Sequence, residues 1–359
     1  RKMSKSLGNG IDPLEVISEH GADALRFTIV SLAPIGLDVK LGFDKQQNDF
    51  LVGTRFCNKI WNASRYILMN LTDGSIGDIS GLSPDLADEW ILSRLQDTIE
   101  RVNNDLEVYR FNDYAKDLYD FIWHDFCDWY LELSKINLYG DSLEKKKTAV
   151  ATLVYVLSES LKLLHPIMPF ITEEIWQNLS QEGDSIMVAP YPSVQKKLEN
   201  PSSSQKMDLI QELVYQIRNI RGEMNIPPEK KVDIVIQTKD QKIHTLFIDY
   251  EKYISSLGKV LSVDVRDAYT SDSKCATSVG KGYELFIPLK GLIDLDKEKA
   301  RLQKDLAKAE KELDKSQAKL SNEKFLSNAD EAIVEKEKAR LDQAQVNIEQ
   351  INKSLSTLF

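Results

Sequence analysis

Near its start the chain reads Lys2-Met3-Ser4-Lys5-Ser6-Leu7-Gly8-Asn9-Gly10, directly before the helix-start signal Asp12-Pro13. Two lysines three residues apart on a short loop of serine and glycine can place two ammonium groups against a polyphosphate. A helix N-terminus beside the loop adds backbone amides that favour the same negative charge. A solvated basic loop is the commoner interpretation of a lone pair of lysines, so the rest of the segment has to decide between the two.

Helical sequence follows the loop directly. Asp12 suits the N-cap of a helix, Pro13 its first position and Glu15 its third. Gly21 is expected to end this helix, and Ala22 to Leu32 predicts the next one. The loop is therefore predicted to lead straight into two consecutive helices.

A region from Asp44 to about Pro190 is predicted to be helical throughout, because its apolar residues recur at helical spacing. The longest predicted helix is rich in aromatic residues and runs from Tyr109 to Ile136. Two later helices are predicted over Thr148–Leu164 and Ile171–Leu179. Several amphipathic helices joined by short links predict an antiparallel bundle.

The sequence changes character after the bundle. Pro190–Ser204 is rich in proline and serine and predicts a linker, with a further helix over Lys206–Arg221. Alternating apolar and polar residues between about Asn225 and Pro288 predict a small α+β module. Its predicted elements are strands near Val232–Ile236 and Leu261–Val265, a helix over Lys242–Ser255 and a hairpin with the turn Gly280-Lys281-Gly282.

The last region, Leu292 to Phe359, carries two sets of heptad repeats separated by a polar break over Ser321–Asp330. The first set contains Lys299, Leu306, Leu313 and Leu320, interleaved with Leu295, Leu302 and Ala309. The second set contains Val334, Leu341, Ile348 and Leu355, interleaved with Ala344, Ile351 and Leu358. This pattern predicts an antiparallel two-helix coiled coil whose first helix is about 40 Å long.

The composition indicates a globular protein of several domains. The 359 residues are 42% apolar and 28% charged, which is typical of a globular chain of two or three domains. No apolar run is long enough to span a membrane, and no signal peptide is recognised. The net charge of −10 argues against broad nucleic-acid binding but permits a local basic patch. Because the chain starts at Arg1, inside a motif, we expect a fragment of a longer protein.

Cysteine usage indicates a reducing compartment and no metal site. The three cysteines, Cys57, Cys127 and Cys275, lie far apart and form no zinc-binding pattern. A sparse, odd set of cysteines is typical of reduced thiols in a cytoplasmic protein. The sequence therefore predicts neither disulfides nor a bound metal.

The opening segment resembles the Lys-Met-Ser-Lys-Ser signature of class I aminoacyl-tRNA synthetases. The likeness continues through Gly8–Pro13 and Gly21–Arg26, as in the valine, isoleucine and leucine members. It implies that Lys2 and Lys5 contact the phosphates of ATP, Lys5 most directly, and that Ser4 and Ser6 shape the loop. Mobile cations there would offset the charge that builds on the phosphoryl oxygens when an adenylate forms. ATP with Mg²⁺ is implied for the full-length enzyme, and no cofactor is expected to bind tightly to the fragment.

Two further segments, Gly36–Lys40 and Asn58–Ala63, look more like the valine-specific members than their isoleucine or leucine relatives. The C-terminal coiled coil resembles the arm with which the valine-specific members contact the outer corner of tRNA. The isoleucine members commonly end in a zinc module, and its cysteines are missing here. The resemblance thus implies tRNA(Val) as partner, with valine and ATP as substrates of the full-length enzyme.

The resemblance implies a mostly α-helical fold in four parts. These are the end of the catalytic domain with its phosphate loop and stem-contact helices (1–43), an anticodon-binding helical bundle of the class I type (44–224), a small α+β linking module (225–290) and a coiled-coil tRNA-binding arm (291–359). A cytoplasmic monomer is expected. The fragment alone should be inactive, because no His-x-Gly-His signature, amino-acid pocket or editing domain is present.

Candidate tRNA-binding residues fall in the bundle and in the arm. Arg55, Asn58, Asn62 and Arg65 recur at spacings of three and four, so they share one helix face, with Lys59 beside it. A polar stripe facing tRNA and buried hydrogen bonds between helices are equally good explanations. In the arm, a single basic face is permitted by the spacing of Lys304, Lys308, Lys311 and Lys315.

Aromatic residues near the second bundle signature have two possible roles. Trp123 can stack on an unpaired anticodon base or pack in the core, whereas Trp129 is predicted to be core. His165 is expected to make a structural hydrogen bond at a helix end. Two alternatives to the overall interpretation stay open, namely an isoleucine- or leucine-specific synthetase fragment and a non-enzymatic helical scaffold that dimerises through its coiled coil.

Overall fold

The structure is a computed structural model that describes residues 3–4, 7, 9–34, 36–43, 48–71, 79, 81–179, 183–270, 274–292, 295–322 and 331–358. The chain divides into two compact units, Arg1–Asp208 and Leu209–Phe359. No helix in the described ranges is both long and apolar enough to cross a bilayer.

The first unit is built from helices. In chain order they are α1 (Pro13–His20), α2 (Ala22–Leu32), α3 (Leu51–Met69), α4 (Leu86–Glu107), α5 (Phe111–Asp120), a π-helical segment (Phe121–Tyr130), α6 (Leu131–Leu138), α7 (Leu143–Leu164), α8 (Pro169–Gln177) and α9 (Pro201–Glu223), which continues into the second unit. Its core contains large apolar side chains from most of these helices, including Phe27, Phe56, Trp90, Tyr114 and Tyr130.

The helix-start signal after the loop acts as predicted. The Asp12 carboxylate accepts a hydrogen bond from the backbone N–H of Leu14 at 2.9 Å, and Pro13 opens α1. Gly21 ends the helix with φ of +88°, a backbone conformation that side chains with a Cβ rarely adopt. The bounds of α1 and α2 confirm both predicted helices.

Asp23 and Arg26 tie α2 to a segment about 140 residues later in the chain. The buried Asp23 carboxylate accepts hydrogen bonds from the backbone N–H groups of Phe170 and Ile171, and so caps the start of α8. Arg26 donates to the carbonyl oxygens of Pro166 and Ile167. Part of the Gly21–Arg26 motif is therefore explained by architecture, since it holds the α7–α8 corner.

His165 has the structural role expected for it. It follows the last residue of α7, and its Nδ1 atom lies 2.7 Å from the hydroxyl of Thr172 in α8. Burial lowers the pKa of His165. Through its contact with Thr172 the His165 ring stabilises the same α7–α8 corner.

The long aromatic helix is continuous over Phe111–Leu138, but its middle is π-helical. The prediction that Trp129 belongs to the core is wrong, because this side chain is only half-buried. The buried residues of the π-helical segment recur at spacings of both four and five; they are Phe121, Ile122, Phe126, Cys127 and Tyr130. The prediction for Trp129 depended on how often aromatic residues at helical spacing belong to a core, which does not decide a single position.

The predicted linker is shorter than expected and is anchored to α4. Helix α9 already begins at Pro201, so the last residues of the Pro/Ser-rich stretch are helical. Asn200 donates its backbone N–H to Ser93 at 3.0 Å and its side-chain amide to Glu89 at 3.1 Å. The backbone N–H of Gln195 donates to Gln96 at 2.7 Å. These bonds fix the segment on the bundle surface.

The second unit contains a small mixed sheet with helices, as predicted for an α+β module. Its strands are β1 (Val232–Gln237), β2 (Val260–Arg266), β3 (Cys275–Gly280) and β4 (Tyr283–Pro288), in the order β2-β1-β4-β3. Strands β1 and β2 are parallel, and the other two pairs are antiparallel. The helix predicted over Lys242–Ser255 is in fact two, α10 (Gln241–Asp249) and α11 (Glu251–Gly258), because Tyr250 leaves the helical conformation between them.

Two long helices, α12 (Leu295–Leu320) and α13 (Glu331–Leu358), pack against each other at the end of the chain. The polar break predicted over Ser321–Asp330 lies outside the described residues, apart from Ser321 and Asn322. Leu302, Ala309 and Ala344 are buried, and all three belong to the predicted heptad sets. The two helices together are called the arm below.

A buried carboxyl group makes the stability of the first unit sensitive to pH. Asp88, in the first turn of α4, is 2% exposed, accepts a hydrogen bond from the buried Tyr130 hydroxyl, and caps the helix together with Asp85. Burial and, next, the neighbouring Asp85 carboxylate raise the pKa of Asp88 to about 7. Protonation is thus favoured in the folded state.

We expect the free energy of unfolding of the first unit to fall as pH rises from about 4 to about 7, because a group whose folded pKa is raised loses its stabilising proton over that range. In the Asp88→Asn variant this dependence should shrink, by on the order of 2 kcal/mol across the range. Urea titrations followed by tryptophan fluorescence measure it, since all five tryptophans lie in this unit. Parallel pH profiles for the two proteins would contradict the assignment.

Candidate nucleic-acid interface

One face of α3 is exposed and basic. Arg55, Asn58, Asn62 and Arg65 are all exposed, and at about 100° per residue they fall within an arc of about 80°. Helix α3 contains three basic residues and no acidic one, although the chain as a whole carries a net charge of −10. This set of four residues, called the α3 face below, is therefore a local basic and amide-rich surface.

The exposure of these residues excludes one of the two explanations for their spacing, namely hydrogen bonds buried between helices. Buried hydrogen bonds between helices require buried side chains, and all four are exposed. The Asn62 amide donates to the carbonyl oxygen of Asn58, in its own helix, at 2.8 Å. The side chains of the α3 face are thus directed to solvent, where they can contact a ligand.

Lys59 and Trp123 belong to a packed cluster at the edge of this face. The Lys59 ammonium group lies 2.6 Å from the Asp128 carboxylate and 5.0 Å from the centre of the Trp123 ring. The Trp123 ring stacks on Tyr119 at 5.2 Å, and Asp128 also lies 3.3 Å from His124. Both sequence candidates are half-buried and have protein partners, so their direct role is to join α3 to the π-helical segment.

Exposed aromatic side chains beside the α3 face were missed by the sequence interpretation. Tyr139 is 69% exposed, and its hydroxyl lies 3.3 Å from that of Tyr66. The Lys135 ammonium group lies 5.6 Å from the centre of the Tyr66 ring, and Trp61 is 44% exposed. Tyr66 follows Asn62 by four residues, so the spacing that defined the polar stripe could also have identified Tyr66 as a neighbour of it. Exposed aromatic rings beside cations are typical of surfaces that stack on unpaired bases.

The opening loop, which is predicted to contact ATP phosphates, is only partly described. Lys2, Lys5 and Ser6 lie outside the described residues. The backbone N–H of Ser4 donates to the Asn9 side chain at 2.9 Å, and the N–H of Leu7 donates to the Ser4 carbonyl at 3.2 Å. The described part is thus a hydrogen-bonded turn just before α1, which is compatible with a loop that shapes itself around phosphates.

His20 connects the helix after this loop to α3. It is the last residue of α1, and its Nδ1 atom lies 2.8 Å from the Thr54 hydroxyl of α3. Its Nε2 atom lies 3.0 Å from the Asn48 amide nitrogen. The loop-bearing helix and the α3 face thus belong to one hydrogen-bonded framework.

A second basic surface lies on the arm. Lys304, Lys308, Lys311 and Lys315, called the lysine row below, are all exposed and fall within an arc of about 60° on α12. No acidic residue of the helix lies within that arc, although Lys308 is 3.6 Å from Asp305 at its edge. The row lies roughly 130° around the helix from the buried residues Leu302 and Ala309. It therefore faces away from α13.

Comparisons with protein families match three stretches of the chain. Residues 1–42 match the class I tRNA synthetases for isoleucine, leucine, methionine and valine. Residues 88–236 match the anticodon-binding domain of tRNA ligases, and residues 294–359 match the valyl tRNA synthetase tRNA-binding arm. The α3 face lies between the first two matches. These matches, with the helical bundle and its basic surfaces, place the chain among the class I aminoacyl-tRNA synthetases.

Individual relatives of the chain identify one member of this class. Valine–tRNA ligases from Bacillus cereus and Syntrophotalea carbinolica are 42% and 44% identical over 100% of this chain, and that from Geobacillus stearothermophilus is 41% identical over 95% of it. The chain covers 40%, 40% and 38% of the length of these relatives, respectively. The chain belongs to the valyl-tRNA synthetase family.

Proposed function

We propose that this chain is the tRNA-binding part of a valine–tRNA ligase. The full-length protein activates valine with ATP and Mg²⁺ and transfers it to tRNA(Val). The part in hand contributes the phosphate loop at its start, the helical bundle that binds the anticodon stem and loop, and the arm that contacts the tRNA body. The names of its relatives and of the matched families support this assignment.

One observation carries the proposal, namely the exposed α3 face without acidic neighbours on its helix in a chain of net charge −10. Phosphate groups of RNA are bound by exposed arginines, while asparagine amides and aromatic rings can contact bases. Arg55 and Arg65 would bind phosphates, and Asn58 and Asn62 would contact sugars or bases. Tyr66, Tyr139 and Trp61 would offer stacking surfaces. Lys59 and Trp123 would support the face from behind.

The arm is proposed to be an antiparallel coiled coil that binds the tRNA body through the lysine row. The heptad spacing of the buried residues and the position of the row away from α13 support this geometry. The division into parts 1–43, 44–224, 225–290 and 291–359 follows the same assignment. The full-length protein is proposed to be a cytoplasmic monomer, since an arm whose apolar residues pair within one chain needs no second copy.

Loss of two charges from the lysine row should weaken tRNA binding moderately. For Lys308→Gln with Lys311→Gln we expect about a tenfold loss of affinity at low salt, and a slope of log affinity against log salt reduced by about two. Filter binding of the full chain to tRNA(Val) across a salt series measures both quantities.

The matched control removes two exposed lysines from the other helix of the arm, Lys336→Gln with Lys338→Gln. At the physiological end of the salt series, where the Debye length is about 8 Å, the control should change affinity by no more than about twofold, because charges that do not contact the tRNA are screened. Equal losses in the two variants would contradict the lysine row as a binding surface.

A further inference from the structure

A polar pair lies inside the contact between the two helices of the arm. Ser316 of α12 and Glu337 of α13 are each 5% exposed, and the Ser316 hydroxyl donates to the Glu337 carboxylate at 3.0 Å. The same carboxylate lies 3.0 Å from the Lys319 ammonium group and 3.3 Å from Arg340. The other buried side chains in the described part of the arm, Leu302, Ala309 and Ala344, are all apolar, so this pair is the polar exception among them.

Both residues continue the predicted heptad sets, although neither is apolar. Ser316 lies seven residues after Ala309, and Glu337 lies seven before Ala344. Counting in steps of seven from the observed bond, in opposite directions along two antiparallel helices, pairs Ala309 with Ala344 and Leu302 with Ile351. The three of these that are fully buried, Leu302, Ala309 and Ala344, agree with this register.

Other registers would leave the carboxylate without its partner. If α13 slid by one heptad in one direction, Glu337 would face Ala309, and in the other direction Ser316 would face Ala344. Alanine offers no hydrogen-bond donor in its side chain, so the buried Glu337 side chain would keep only Arg340 of its own helix, and a buried polar group without its hydrogen bonds is unfavourable. The other pairs of facing residues discriminate poorly between registers, because alanine and leucine can each pack against another apolar residue.

We propose that Ser316 and Glu337 are positioning residues that fix the register of α12 against α13. A slip by one heptad would move one helix along the other by about 10 Å, at 1.5 Å per residue. Such a slip would change the length of chain available to the connection between the helices and displace the end of the arm. A consequence of the register for tRNA binding rests on the proposed function, whereas the register itself can be measured without RNA.

Disulfide trapping in the full chain tests the register directly. The three native cysteines are first replaced by alanine. Ala309→Cys with Ala344→Cys reports the native register, and two further pairs report the two slips. Those slipped pairs are Ala309→Cys with Ile351→Cys and Leu302→Cys with Ala344→Cys. Rates of disulfide formation are compared in the parent arm, in Ser316→Leu with Glu337→Leu, and in Glu337→Gln.

In the parent arm we expect the native pair to form at least about tenfold faster than either slipped pair. In the double leucine variant the ratio should fall to within about threefold, while Glu337→Gln, which can still accept from Ser316, should keep the parent ratio. A parent-like ratio in the double leucine variant would overturn the proposal. If far-UV circular dichroism shows that this variant has lost helix, Ser316→Ala replaces it in the test. The same fall in the ratio of native to slipped disulfide formation is then expected, and a parent-like ratio would overturn the proposal. These readouts involve no tRNA, so failure here is distinguishable from failure of the proposed function.

Discussion

Charge reversal on the α3 face, by Arg55→Glu with Arg65→Glu, is expected to weaken binding of tRNA(Val) by about 100-fold or more at low salt. Both arginines are exposed on a helix without acidic residues, so the variant replaces two attractive charges by two repulsive ones. The measurement is filter binding or fluorescence anisotropy with the full chain across a salt series. Because neither side chain is buried, the urea midpoint followed by tryptophan fluorescence should stay close to that of the parent.

The matched control reverses two exposed lysines elsewhere in the first unit, Lys197→Glu with Lys206→Glu. It changes the net charge by the same amount, so any loss that it shares with the arginine variant reflects general repulsion. We expect the control to lose no more than about fivefold. If the two variants lost affinity equally, the α3 face would not be the tRNA surface.

Lys5→Ala in the full-length enzyme is expected to lower the rate of valine-dependent ATP–pyrophosphate exchange by about 100-fold or more. The proposed reason is that a cation at this position offsets the charge that develops on the transferring phosphoryl group. Affinity for tRNA should change by less than about twofold, because Lys5 is proposed to contact ATP and the variant removes a single charge, whereas reversal of Arg55 and Arg65 changes the net charge by four. The variant thus separates the chemical step from tRNA binding.

The α3 variant is the reciprocal control for this experiment. Arg55→Glu with Arg65→Glu should keep valine-dependent exchange near the parent rate, since exchange needs no tRNA in this scheme. Equal exchange rates for Lys5→Ala and the parent enzyme would remove Lys5 from the mechanism. The chain alone should show no exchange, because the amino-acid pocket is proposed to lie in the other part of the full-length protein.

Local signals made much of the fold predictable. The cap at Asp12, the proline after it and the glycine at position 21 act within a few residues, and α1 and α2 have the predicted bounds. The strands Val232–Gln237 and Val260–Arg266 were visible from alternating apolar and polar residues in the sequence. Their burial does not follow that alternation, since Val235 is buried between Ile234 and Ile236 and Leu261 is exposed.

Features that depend on distant partners were not predictable. Trp129 was predicted to be core because aromatic residues at helical spacing usually are, whereas the structure leaves it half-buried within the π-helical segment. Nothing near Lys59 in the sequence indicated that Asp128 would pair with it. Ser316 and Glu337 look like ordinary surface residues until the two helices are placed side by side. Each of these outcomes is set by packing between elements, which local propensity does not encode.

The central claim is that this chain is a selective surface for one tRNA, and competition binding tests it most directly. Labelled tRNA(Val) is bound to the full chain and displaced by unlabelled tRNA(Val), tRNA(Ile) or tRNA(Leu) at one fixed salt concentration. We expect tRNA(Val) to compete at least about tenfold better than the other two. Indistinguishable competition by all three would contradict the account.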